Sequence, residues 1–120
     1  MAPPVFPKPP ITTWIATALA ALPAALHAAP DAELTRIYYE REVMAAYCGL
    51  GSAQSTAGFH RAEKEIIARK NLNQKDLENA RTRAWKDAHA EWSNRGLGGF
   101  KNWCRTEGVA AMERFEEMAR

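Results

Sequence analysis

From about residue 31 onward, apolar residues recur at helical spacing. Leu34, Ile37, Tyr38, Met44, Tyr47 and Cys48 follow one another at three- and four-residue steps, which predicts a first helix over about 31–48. Asp31 and Glu33 in its first turn suit the positive end of the helix dipole. Gly49 and Gly51 stop it. Arg41 interrupts the apolar face and is expected to carry its charged head outward on its aliphatic stem.

A second helix is expected to begin at Ser55 or Thr56 and to reach about Lys70, with Phe59, Ala62, Ile66 and Ile67 on its apolar face. Asn73 is placed to cap a third helix, with Asp76 as the reciprocal partner three residues on. Leu77, Ala80, Ala84, Trp85, Ala88 and Trp92 mark the buried side of that helix, and Arg95-Gly96 ends it. A fourth helix, from about Gly99 to Met118, aligns Phe100, Trp103, Cys104, Ala111, Phe115 and Met118, with Met112 beside them. Gly108, in its middle, marks either a bend or the close approach of a neighbour. No alternating run of β-branched residues lasts four positions, so strands are not expected. Four amphipathic helices with short connections predict an all-α fold, a small antiparallel bundle.

The N-terminal stretch follows a different pattern. It carries Lys8, then sixteen uncharged residues from Ile11 to Leu26, then His27-Ala28-Ala29-Pro30. A positive start, a short apolar run and a small-residue exit predict a signal peptide over 1–28, cut after Ala28. A spanning helix needs about 20 apolar residues; this run is shorter and contains Pro23, which leaves a retained anchor as the lesser alternative. The expected mature domain, residues 29–120, would then be periplasmic or secreted.

Both cysteines, Cys48 and Cys104, fall in that domain. An exported chain with two cysteines normally pairs them. In an up-down-up-down bundle the end of the first helix and the start of the fourth share a pole. Each cysteine also lies on the apolar face of its own helix. Bundle and disulfide therefore support one another. The spacing matches no Cys-x-x-Cys redox or metal motif.

Composition adds only limits. The chain has 120 residues, 47% of them hydrophobic and 25% charged, with a net charge of +2. That excludes a multidomain enzyme, a polybasic tail, an acidic disordered chain and a disulfide-dense knot. Residues 61–105 carry 11 basic and 6 acidic side chains, whereas 31–48 and 107–120 are each net −2. A basic middle would suit an anionic partner, but three helices share it, which favours a solvated mosaic. No basic-aromatic run reads as a nucleic-acid motif, so nucleic acid is not an expected partner. Acid-first pairs at Glu65–Arg69, Glu91–Arg95 and Glu116–Arg120 are expected to brace their helices.

No catalytic constellation emerges. A di-iron bundle needs Glu-x-x-His on two helices, and neither His60 nor His89 has Glu three residues before it. The His89-Ala-Glu91 triplet lacks the Pro-Cys-x-x-Cys that a zinc deaminase requires. Gly96-Leu-Gly-Gly-Phe-Lys101 is glycine-rich and flanked by Arg95 and Lys101, yet it follows no strand and precedes no Gly-Lys-Ser/Thr. It reads as a tight turn, with an anion site at the next helix as the alternative. Ser52, Ser55 and Thr56 lack a placed base. No metal, cofactor or catalytic residue is therefore expected. Trp85, His89 and Trp92, at steps of four and three, either pack inward with their polar tips outward or line an apolar groove with Phe100 and Trp103. With Arg95 and Lys101 they form the candidate binding surface.

Tyr47-Cys48-Gly49 closing a first helix, followed by Asn94-Arg95-Gly96 and Gly99-Phe100 ahead of a second cysteine, resembles a group of small uncharacterised exported proteins of alphaproteobacteria. The resemblance implies a signal peptide and a periplasmic setting, and it carries no activity with it. The expected function is a non-enzymatic interaction or accessory module acting on a protein partner in the cell envelope. The alternative is a chaperone-like or apolar-ligand-binding protein, and a small hydrolase ranks last.

Overall fold

The computed structural model describes residues 2–5 and 29–120. The expected leader (1–28), apart from residues 2–5, and the expected cut after Ala28 lie outside the described residues. Helix α1 (Ala32–Arg41) is capped by the Asp31 carboxylate, which accepts from the Leu34 N–H at 2.9 Å. It runs on into a π-helical segment, Glu42–Tyr47. Gly49, at φ 63, then turns the chain. Helix α2 (Ala53–Lys70) starts earlier than the sequence predicts. Its cap is Ser52, whose side chain and that of Ser55 each accept the other's backbone N–H, at 3.0 and 2.8 Å. The stretch after Ser52 carries no large apolar residue until Phe59, so periodicity does not register its first turn. Asn71, left-handed at φ 53, closes α2.

Helix α3 (Gln74–Trp103) has the expected capping box, Asn73 with Asp76, at 2.9 Å in both directions. It breaks at Gly96, whose φ of 69 and ψ of −174 end one rod and begin the next. That second rod continues through a π-helical segment, Cys104–Gly108, into α4 (Val109–Met118). Among the described residues the fold is all-α: a small antiparallel bundle of four rods held by one disulfide. Charged helix ends make the antiparallel sense explicit. Arg69 and Lys70 at the C-terminal end of α2 meet Glu33 and Asp31 at the start of α1, at 2.5 and 2.9 Å.

The closest packing joins next-but-one rods, α2 with α4 and α1 with α3. Small residues permit this. Ala80, Ala84 and Ala88 are fully buried on α3, and Gly58 of α2 lies directly against the backbone of Phe115. The main core gathers Leu34, Ile37, Tyr38, Met44, Phe59, Ala62, Ile66, Ala80, Ala84, Ala111 and Phe115. A smaller one holds Val43, Ala88 and Trp103. The adjacent residues Val43 and Met44 feed different cores, which the wider π turn accommodates.

Several expected placements change. Arg41 lays its guanidinium over the Phe59 ring, 4.5 Å from its centroid, because the ring face offers a cation site at the core edge. Arg69 pairs with Glu33 across helices and Arg120 with Glu117, so neither braces its helix through Glu65 or Glu116 as expected. Glu91–Arg95 forms as expected, at 2.5 Å. Met118 is 42% exposed.

Tyr38 donates to Glu63 at 2.5 Å, tying α1 to α2, while Arg81 of α3 covers its ring. Burial and the Glu63 carboxylate push the Tyr38 phenol well above its ordinary value near 10. Burial, with the charges of Glu107 and Glu91, raises Tyr39 to about 12. Burial also raises Tyr47. Above pH 10 the unfolded chain releases phenolic protons that the folded chain keeps. Stability from these groups is therefore full below about pH 10 and is lost as pH rises further. We expect urea midpoints to fall from pH 10 upward and the tyrosinate absorbance of Tyr38 and Tyr39 to appear together with unfolding. More than one tyrosinate titrating near pH 10 in still-folded protein would refute this; the three tyrosines of the chain are these three.

Candidate functional site

The disulfide sets the geometry of one pole of the bundle. Cys48, just after the first π segment, bonds Cys104, which opens the second; their Cα atoms are 5.4 Å apart. A Cβ at Gly108 would sit 3.0 Å from the Cys48 sulfur, so this glycine makes room for the bridge and is the close-approach point of the two alternatives. With the pole pinned, Tyr47 lies against α3. Its ring centroid is 5.8 Å from that of Trp92 and 5.7 Å from that of Trp103, and its hydroxyl is 3.4 Å from His89 Nδ1.

Trp85, His89 and Trp92 come together as one surface. The Trp85 and His89 rings stack nearly parallel, with centroids 5.4 Å apart, and His89 leads on to Trp92 at 5.6 Å. The expected inward packing does not hold for the two tryptophans: Trp85 is 54% and Trp92 44% exposed. Helix geometry explains why. The buried face of α3 is the ladder Ala80, Ala84, Ala88, and each four-residue step drifts by about 40°. By position 92 the ladder has turned off the interior, and Trp85 stands about 100° from Ala84.

The other two predicted members separate from this ledge. Arg95 folds back instead of projecting: its guanidinium lies 5.2 Å from the Trp103 centroid, bonds Glu91 at 2.5 Å and faces Glu107 at 3.9 Å. Trp103 is fully buried and donates its indole N–H to Glu107. Lys101 is exposed beyond the Gly96 break. At that break Trp92, Ser93, Gly96 and Phe100 line a groove of about 540 Å³. Within the glycine-rich run Gly96 alone makes the turn between rods, and the residues after it are already helical. Comparison with known protein families, curated proteins and solved structures finds no match for this chain.

The ledge is therefore Tyr47, Trp85, His89 and Trp92, extended by the groove to Phe100. Tyr47 is the member that sequence reasoning placed only on the apolar face of its own helix. Its partners are 42 or more residues away, and it meets them where the first rod packs against α3 beside the smaller core. Among the described residues no group of three or more His, Cys, Asp or Glu side chains is placed to hold a metal ion. No described helix is long and apolar enough to cross a membrane.

Proposed function

We propose that this chain is a non-enzymatic interaction module of the cell envelope that docks a protein partner through the Tyr47–Trp85–His89–Trp92 ledge. The supporting observation is the exposure of two tryptophans on a helix whose neighbouring turns are locked inside by alanines. Tryptophan, tyrosine and arginine are the residues that most often anchor protein interfaces. The ledge supplies the first two on a rigid support, and Arg95 buttresses Trp103 beneath it. A setting outside the cytoplasm agrees with the disulfide, which persists in oxidising compartments, and with the leader read at 1–28.

A photo-crosslinking amino acid at position 85 or 92, introduced in intact cells, tests this. We expect one defined protein adduct from both positions, recovered from the envelope, and none from the exposed position 75 at the far end of the same helix. Free monomer alone from 85 and 92 would overturn the docking surface. Recovery in the cytosol with reduced cysteines would overturn the compartment.

A further inference from the structure

A second surface, sharing no residue with the ledge, is a cleft of about 580 Å³ between α1, α2 and α4. Its size falls in the range of small-molecule sites. The floor is apolar: Ile37, Ala62 and Ile66, all buried, continued by the half-exposed Met118. The walls carry five arginines, at 36, 61, 69, 114 and 120, against three glutamates, at 33, 40 and 65.

Part of the charge excess lies at Glu40. Glu40, with its side chain only 12% exposed, receives Arg36 at 3.1 Å and Arg114 at 2.7 Å. One carboxylate thus faces two guanidinium groups, and one positive charge is left over. Arg36 uses its Nε on Glu40 and bonds no other side chain among the described residues, while its own side chain is 72% exposed. A guanidinium presents five donors in a planar fork that matches a carboxylate. Arg61 is held differently, donating to the Met118 and Arg120 carbonyls at 3.2 Å each, and so fixes the α4 end of the floor.

We propose that this cleft binds a single-chain anionic amphiphile, a fatty-acid carboxylate, with its head between Arg36 and Arg114 and its tail along Ile37, Ala62, Ile66 and Met118. The arginine pair with one shared carboxylate lacks one negative charge, which the head supplies. The apolar floor running away from that pair matches a chain in place of a bare anion.

Titration of the full, disulfide-bonded chain with dodecanoate below its micelle-forming concentration, followed by backbone amide NMR, tests the proposal. Saturable one-to-one shifts are expected around Arg36, Arg114 and Met118, with affinity that weakens as salt screens the charges. Acetate, dodecanol and dodecylammonium should each bind at least about tenfold more weakly, since losing a charge-assisted contact or the chain removes that much affinity. The Arg36→Gln/Arg114→Gln variant should lose about tenfold for dodecanoate, while Arg105→Gln, outside the cleft, should not change it. If the double variant does not fold, Met118→Gln, at an exposed floor position, should still weaken the long chain without changing acetate. Equal binding of dodecanol or dodecylammonium, shifts located elsewhere, or the same shifts produced by self-association without ligand would overturn it.

Discussion

Replacing Cys48 and Cys104 together by serine is expected to cost about 4 kcal/mol of stability, the chain-entropy value for a loop closed across a sequence separation of 56. For a domain this small, that corresponds to a fall in Tm of about 15–30 °C. The effect should be large because the bridge does more than restrict the unfolded chain. It brings the two π segments together, and the smaller core of Val43, Ala88 and Trp103 has Tyr47, Cys48 and Phe100 packed against it. Thermal unfolding with and without reductant, set beside the double variant, measures this. Reduced wild-type protein should match the variant, and an unchanged midpoint would mean that the bridge adds nothing to stability. Because the ledge takes Tyr47 from the end of the first rod and Trp92 from α3, the near-ultraviolet aromatic signal should weaken in the variant even where folding is retained.

Much of this architecture was legible in the residues. Asn73 with Asp76, Gly96 with its preceding Arg95, and Gly49 after Cys48 are local signals. Each acts through a hydrogen bond or a backbone angle that neighbouring residues decide. The disulfide was legible because helix order and face position constrain it twice. What escaped was decided between helices. Trp85 and Trp92 satisfy the helical period, but period alone does not say which of two adjoining stripes another helix will cover. Here the alanine stripe wins, since small side chains let α1 approach and bulky indoles would hold it off. Arg69 and Arg120 found partners other than the ones expected because a cross-helix carboxylate or a neighbouring turn lay within reach. The arginine cleft has no sequence signature, being assembled from three helices whose contributions look like ordinary solvated faces.

Gly58→Ala is expected to destabilise the protein by about 3 kcal/mol, the upper range for forcing extra volume into a packed interior. By propensity alone the sign would be opposite, since alanine is favoured over glycine by about 1 kcal/mol inside a helix. Geometry decides the outcome. A Cβ at Gly58 would lie 1.6 Å from the Phe115 carbonyl oxygen and 2.6 Å from its carbon. These are backbone atoms, and no rotamer change can move them aside. The substitution must therefore separate α2 from α4, loosening the edge-on Phe59–Phe115 pair, whose centroids are 5.7 Å apart. Gly98 provides the comparison: it is helical, and a Cβ there meets nothing within 4 Å. Gly98→Ala should stabilise by about 0.5–1 kcal/mol. Urea unfolding of both variants separates the two effects. A neutral or stabilising Gly58→Ala would show that α2 and α4 do not cross at that glycine. Opposite signs at the two positions would show that a missing side chain, not a sulfur bridge alone, sets how closely these rods approach.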